Sequence, residues 1–507
     1  MLWLFVTFGL IFLTIAILVS RRAPQGDVDD FVVAGRRLPF GVVSASVMVS
    51  WLWTTSLLGA AEAGYLFGVG GGFAFALGSA IPFFIFIPIA LRLRRIMPQG
   101  TTFLEFIKQR YGRTVHHLLL GMTLVMALYI CTEQIIGVAY AVSGTYDVSY
   151  SAVVIGATAI VVGYIAIAGL RGAVINDVIQ FVIIAAVALV LIPIILSQFG
   201  IGELHAGLAN AATNPDHPAH NPSALSAFAP AAVRYFAVAM VVSMGFVLLN
   251  QGYYSKARAA ASDKSLLRAY VLGTIVAWLP IPILFGMVLG GIGIAEGLVV
   301  GEELRVETDV AVWVFNDHFG AIGVMLFALT IFMAGLTTAS NSLAGYQAAM
   351  AVDVQEIGSG RRTSAQRKRF TQYATIAFGL VTCLAALALE GVSLLAIDIF
   401  SGIIFAAPVS VVVLGMIWKR LTATHAVLAV VLGLASGLTA YFAIADDELN
   451  YFVGNLLSLL VPVVVLAIGQ VTSRKQYDFD QLLTYRSATA PGAGATTQAP
   501  TSERERA

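Results

Sequence analysis

Residues 44–56 read Ser44-Ala-Ser-Val-Met-Val-Ser-Trp-Leu-Trp-Thr-Thr-Ser56, inside a stretch, 41–66, that is otherwise apolar enough to cross a bilayer. On a helix facing lipid, hydroxyls and indoles at this density are out of place, because each buried polar group carries a cost. Packing through small residues accounts for Ser44 and Ser46. It accounts poorly for Trp51, Trp53, Thr54, Thr55 and Ser56, which fit a span interrupted near its middle to make a binding segment.

Composition sets the class around that segment. Of 507 residues, 59% are hydrophobic and 11% charged, against about 25% charged in a soluble domain. A water-soluble fold of this make-up would expose large apolar patches, so the chain is read as a membrane protein. The net charge of +1 says nothing about partners. Cys131 and Cys383 both lie in apolar runs and define neither a disulfide framework nor a cysteine metal site. The apolar run 2–20 is followed by Arg21-Arg22, the reverse of the order in a signal peptide, and is read as an uncleaved first span.

A crossing helix needs about 20 mostly apolar residues. On that basis the chain is expected to be an all-α integral membrane protein of thirteen spans. The first helix and its loop occupy 1–40, and spans two to six occupy 41–197. A loop covers 198–230, a second group of spans covers 231–444, the last helix lies in 445–471, and a mostly disordered tail runs through 472–507. With the N-terminus outside, every Lys and Arg except Arg234 and Arg305 falls on one side. The positive-inside rule makes that side, and the C-terminus, cytoplasmic. The expected location is the cell membrane.

No HExxH, GxSxG, Walker A or GxGxxG pattern occurs in a usable context. His116-His117 read as interfacial polar residues and the Gly68–Gly72 run as a turn. The chain is therefore read as no enzyme and no ATP-driven pump, without a cofactor; a gradient-driven transporter or a channel remains.

A second polar cluster, Thr337-Thr-Ala-Ser-Asn-Ser342, lies in the ninth span. Its neutral oxygens suit a dehydrating Na⁺, since hard cations take oxygen ligands; hydroxyls bonding back to their own helix would explain it equally. Asp177 opens the sixth span, where it holds a cation on an exit path or pairs with Arg171. Glu133, deeper in the fourth span, is a candidate proton or cation group. Glu62 and Asp398 sit nearer span ends, within reach of water. Ser243-Met-Gly245 puts a hydroxyl beside a helix-weakening glycine, and Asn250-Gln251 closes the seventh span.

Five segments then carry a likeness. They are Gly35-Arg-Arg-Leu-Pro39, Gly169-Leu-Arg-Gly-Ala-Val-Ile-Asn-Asp-Val-Ile-Gln180, Asn250-Gln251 with Ala257-Arg-Ala259, Ala334-Gly-Leu-Thr-Thr-Ala-Ser-Asn-Ser342, and Leu414-Gly-Met-Ile-Trp-Lys-Arg420. In this order the chain resembles the sodium:solute symporter family over residues 1–471. The resemblance implies a LeuT-type core of two inverted five-helix repeats. It implies Na⁺ as the coupling ion, held by the carbonyls of Val49, Leu52 and Ala334 and the hydroxyls of Thr337 and Thr338, with Asp177 on the release path. Ser50-Trp-Leu-Trp-Thr-Thr-Ser-Leu-Leu58 and Pro98-Gln-Gly-Thr-Thr-Phe-Leu-Glu-Phe-Ile107 look like the urea-transporting branch. Trp51, Trp53, Thr54, Thr55, Ser243 and Phe246 would then be the solute contacts.

The expected function is Na⁺-coupled import of a small polar solute, urea above all, by alternating access. Another amide, an amino acid or a monocarboxylate is the alternative solute, although no Lys or Arg is expected mid-span to pair an acid. Glu133 keeps proton coupling open, and a passive channel for a neutral solute is the reading from another class. The partners are the solute, Na⁺ and membrane lipid, with no nucleic acid.

Overall fold

A computed structural model describes residues 2–22, 28–36, 38–357 and 363–489. Among these the chain is all helical; the only strand-like pairings are isolated bridges, such as Leu38 with Ala260. Arg37, Arg361, Arg362, Arg504 and Arg506, used in the charge count, lie outside the described residues, as does the tail from 490.

Among the described residues ten helices are long and apolar enough to cross a membrane, and the bent pair Leu394–Ala406 with Val409–Ile417, at 41°, makes an eleventh. The expected thirteen exceed this by two, for two local reasons. Tyr150–Gln198 counts as one stretch of 49 residues but is two helices joined at a kink, and at 1.5 Å per residue its combined length of about 74 Å is more than twice the ~30 Å hydrocarbon core. Within it Gly169 adopts φ 60°, ψ −153°, a conformation essentially reserved for glycine. The 40–67 stretch is two short helices, Phe40–Trp51 and Leu58–Phe67, each too short to cross alone.

The break between those halves is local in origin. Leu52 turns off the helix at φ −80°, ψ 77°, Trp53 is extended, and Thr54–Ser56 form a single 3₁₀ turn. A second break follows Pro230–Leu248: Asn250 is extended, and its Oδ1 accepts from Gly252 N–H at 2.8 Å to start the helix Gln251–Ala259. A Cβ on Gly252 would lie 2.3 Å from the Asn341 carbonyl. This close approach seats Gln251–Ala259 against Ala321–Ala349, the helix that carries Thr337 and Thr338.

Ala321–Ala349 is the centre of the fold. It packs on Arg113–Thr145, Tyr150–Gln198 and the Phe40–Trp51 half, and from Phe327 to Ala349 every residue is buried. Leu2–Arg22 lies outside, against Tyr150–Gln198. The stretch after the last long helix departs from the expected disorder as far as 489. Tyr477 N–H donates to the Lys419 carbonyl at 2.8 Å, Tyr485 Oη to Glu105 at 2.9 Å, and the Thr489 and Thr101 hydroxyls meet at 2.9 Å. Aromatic anchors hold it, with Arg92 over Phe479 and Arg110 over Tyr477. The 198–230 connection likewise contains a helix, Ile201–Thr213.

Gly169→Ala should lower the thermal midpoint of the purified protein, because the backbone there costs a side chain about 1–3 kcal/mol. The new Cβ would also lie 2.4 Å from the Phe31 carbonyl. Gly121→Ala, with open space around it, is the control and should leave the midpoint unchanged.

Candidate functional site

Breaking a helix inside an apolar body frees backbone groups that need partners. The Ser50 carbonyl accepts from Trp53 Nε1 at 3.1 Å, from Tyr253 Oη at 2.9 Å and from Thr338 Oγ1 at 3.3 Å. Thr338 Oγ1 also lies 3.5 Å from the Leu52 carbonyl. Trp51 O accepts from Ser56 Oγ at 3.2 Å, whose hydroxyl in turn receives Trp278 Nε1 at 3.0 Å. Thr54 N–H donates to Gln134 Oε1 at 2.8 Å. The broken span is thus tied to four other helices.

The two predicted clusters meet here. Thr338 reaches the Ser50 and Leu52 carbonyls directly, while the Val49 carbonyl takes the Leu52 N–H at 3.1 Å, the last turn of its helix. Ala334 lies one turn from Thr337 and Thr338, and all three are buried. The Thr337 hydroxyl has no hydrogen-bond partner among the described residues.

Asp177 is fully buried beneath this point, and its partner is not Arg171, which pairs with Asp30 at 3.2 Å. Asp177 Oδ2 accepts from Ser46 Oγ at 2.5 Å and from Lys256 Nζ at 2.9 Å. Lys256 also donates to the Ser46 carbonyl at 3.1 Å and to Ser50 Oγ. Lys256, one of the loop charges in the sequence reading, is thus buried in the protein, at 1% exposed. The restarted helix Gln251–Ala259 carries it inward.

On the other side of the break lies a cavity of about 30 Å³, room for roughly two water-sized spheres. Of the residues proposed as solute contacts, Trp51, Trp53, Thr55, Ser243 and Phe246 line it, and Thr54 is packed against Gly137 instead. Trp51 meets Trp53 at 5.3 Å and 69°, and Trp53 meets Phe246 at 4.9 Å and 31°. Ser56, already part of the interrupted segment, lines it too, as do Phe75, Ser79, Tyr235, Trp278 and Asp398, which the sequence reading did not place here. Trp51 Nε1 is buried without a partner, an omission worth about 1–3 kcal/mol unless something fills it.

Asp398 and Glu62, expected within reach of water, are both buried. Glu62 binds Thr308 Oγ1 at 2.6 Å and Ser393 Oγ. Asp398 Oδ1 accepts from Tyr129 Oη at 2.5 Å. Glu133, 1% exposed, has no hydrogen bond on either oxygen; Thr55, Gln134 and Asp398 are its polar neighbours. His116 is 2% exposed, with Nε2 2.8 Å from Asp353 Oδ1.

The fold is shared with solved transporters. Superposed on a Na⁺-coupled sialic acid symporter, described as substrate-bound and outward-open, the chain gives a TM-score of 0.74 at 16% identity, covering 93% of this chain and 98% of that one. With Mhp1, a nucleobase-cation-symport-1 family transporter, the TM-score is 0.53 at 13% identity, covering 89% and 98%. The helices share the LeuT-like fold of these proteins. The sequence pattern of the sodium:solute symporter family matches residues 31–433, and the chain belongs to that family. It is 24% identical over 493 residues to probable urea active transporter 1 of Schizosaccharomyces pombe, covering 90% of this chain and 73% of that one. The urea active transporter of Saccharomyces cerevisiae is 23% identical over 516 residues, covering 94% and 68%. The urea-proton symporter DUR3 of Oryza sativa subsp. japonica is 22% identical over 512 residues, covering 94% and 71%.

Removing one partner of a buried ion pair strands the other charge, at about 3–5 kcal/mol. Lys256→Met should therefore lower the thermal midpoint strongly. Adding Asp177→Asn to the same chain should recover most of the loss, measured as a double-mutant cycle on the purified protein.

Proposed function

We propose that this protein is a cation-coupled symporter that imports urea by alternating access. The observation that carries the reading is the small cavity at the broken span, walled by indole and phenyl faces and edged by hydroxyls. Urea is planar, neutral and small, and presents N–H donors around one carbonyl acceptor. The cavity is closed down to about 30 Å³ around these side chains. Relatives from two yeasts and a plant are named as urea transporters.

Na⁺ is the coupling ion of this reading. The Leu52, Val49 and Ala334 carbonyls and the Thr337 and Thr338 hydroxyls supply neutral oxygens, the chemistry a hard cation takes. The unpaired Thr337 hydroxyl supports that assignment. Bound there, Na⁺ ties the broken span to Ala321–Ala349 and so completes the solute cavity; on inward opening it leaves past Asp177. A single charge moving down 100 mV provides about 2.3 kcal/mol, enough for roughly a fiftyfold solute gradient at 1.36 kcal/mol per decade. Proton coupling is the second reading, favoured by one observation: Glu133 is buried with neither oxygen bonded, so its charge needs a proton or a cation nearby. The rice relative is named as a urea-proton symporter.

In the membrane we read thirteen crossings, counting the helix either side of Gly169 separately and the two halves of 40–67 as one. The N-terminus is outside and the arginine-rich face, with the C-terminus, in the cytoplasm of the cell.

Uptake of labelled urea into proteoliposomes tests this. Accumulation above equilibrium that collapses without an inward Na⁺ gradient is the expected result. Accumulation driven equally by an imposed pH gradient would replace Na⁺ with H⁺, and equilibration indifferent to both gradients would make the protein a channel. Thr338→Ala should raise the Na⁺ concentration needed for half-maximal uptake while leaving the protein folded in the membrane; unchanged Na⁺ activation would remove the cation site from Thr337 and Thr338.

A further inference from the structure

Of the side chains lining the solute cavity among the described residues, Asp398 alone is acidic, and none is basic. The carboxylate is fixed there from behind. Tyr129 Oη donates to its Oδ1, and the Tyr129 ring stacks on Phe246 at 5.3 Å and 21°, so the aromatic wall of the cavity aims the acid. A carboxylate has about four acceptor positions, and Tyr129 occupies one. The same cavity is lined by Trp51, whose buried Nε1–H has no acceptor. The pocket therefore offers acceptors from the Leu394–Ala406 helix and a free donor from the broken span.

We infer that Asp398 is the specificity-determining residue of the pocket, accepting the N–H edge of a planar amide solute whose carbonyl takes the Trp51 N–H. The inference deepens the urea reading and rests on it. Urea matches the pair on both counts: paired N–H groups on one edge meet a carboxylate, and its oxygen meets an indole donor. Guanidinium offers the N–H edge but no acceptor, leaving the Trp51 N–H unpaired. A carboxylate solute meets Asp398 with like charge. Formamide and acetamide keep the carbonyl but offer one amino group. A hydroxyl-only pocket would not separate these solutes in this way, because a hydroxyl both donates and accepts.

The test is initial-rate uptake by the full chain in proteoliposomes, with labelled urea and unlabelled acetamide and guanidinium as competitors. Asp398→Asn keeps the size of the side chain but turns an N–H₂ group toward the solute. It should raise the KM for urea at least about tenfold, the loss expected for a hydrogen bond to a charged group. Vmax should stay within about twofold, and the preference for urea over acetamide should shrink. A purely structural role, or a role in proton coupling, would lower Vmax or alter the gradient dependence without moving KM, and an unchanged KM overturns the inference. If Asp398→Asn is folded but does not transport, equilibrium binding of labelled urea decides: loss supports the assignment, and wild-type affinity overturns it. If that variant does not fold, Tyr129→Phe, which frees the carboxylate without removing it, decides by the same KM criterion. Should the wild-type protein carry no urea, the urea reading fails. The Asp398→Asn comparison then runs on whichever of labelled acetamide or guanidinium it does carry, and transport of neither overturns the inference as well.

Discussion

A helix broken inside an apolar body must find partners for the carbonyls and amides it frees, and the rest of this protein is arranged to provide them. At Ser50–Ser56 Tyr253, Thr338 and Gln134 bond the freed backbone, and Trp278 bonds the Ser56 hydroxyl, each from a different helix. Two of these four, Trp278 and Thr338, also belong to the candidate solute cavity and the proposed cation region, so the two regions share the Ser50–Ser56 segment.

Buried charge is the second organising feature. Lys256 and Asp177 remove two charges from water at a cost their attraction only partly offsets, and the extra bonds from Ser46 and Ser50 make the arrangement tenable. The pair lies immediately below the break, so the first half of the broken span is held by a charge network and the second by packing. Asp398 and Glu133 are the opposite case: carboxylates buried without a basic partner beside them. Asp398 lines the cavity, and Glu133 adjoins it through Thr55 and Asp398.

The broken span was legible because Trp51, Trp53, Thr54, Thr55 and Ser56 violate the composition of a lipid-facing helix over consecutive positions. The threonine cluster was equally visible, and five of the six proposed solute contacts line the cavity. Thr54 failed because a 3₁₀ turn of three residues cannot face one way throughout; its side chain goes to Gly137 instead. Lys256 and Asp398 were misplaced for a shared reason. A hydropathy reading assigns an isolated charge near a span end to water, whereas a helix restarting at Gln251, or bending at 406–409, carries its first turns back into the protein. The same logic misjudged the stretch from 473 to 489, whose low hydropathy concealed aromatic and hydroxyl anchors.

The amino-acid sequence alone determined that this is a multi-span helical membrane protein, where its polar interruptions lie and to which transporter family it belongs. Those properties depend on local composition, on periodic burial in lipid and on short motifs, all of which are written along the chain. Which polar groups face one another was decided only by the tertiary structure. The ion pair of Lys256 with Asp177, the facing of Thr338 on the Ser50 carbonyl, and the meeting of Asp398 with Trp51 across one cavity join residues 79, 288 and 347 positions apart. No local pattern encodes such contacts, because they arise from how broken helices pack on Ala321–Ala349, which is buried from Phe327 to its end.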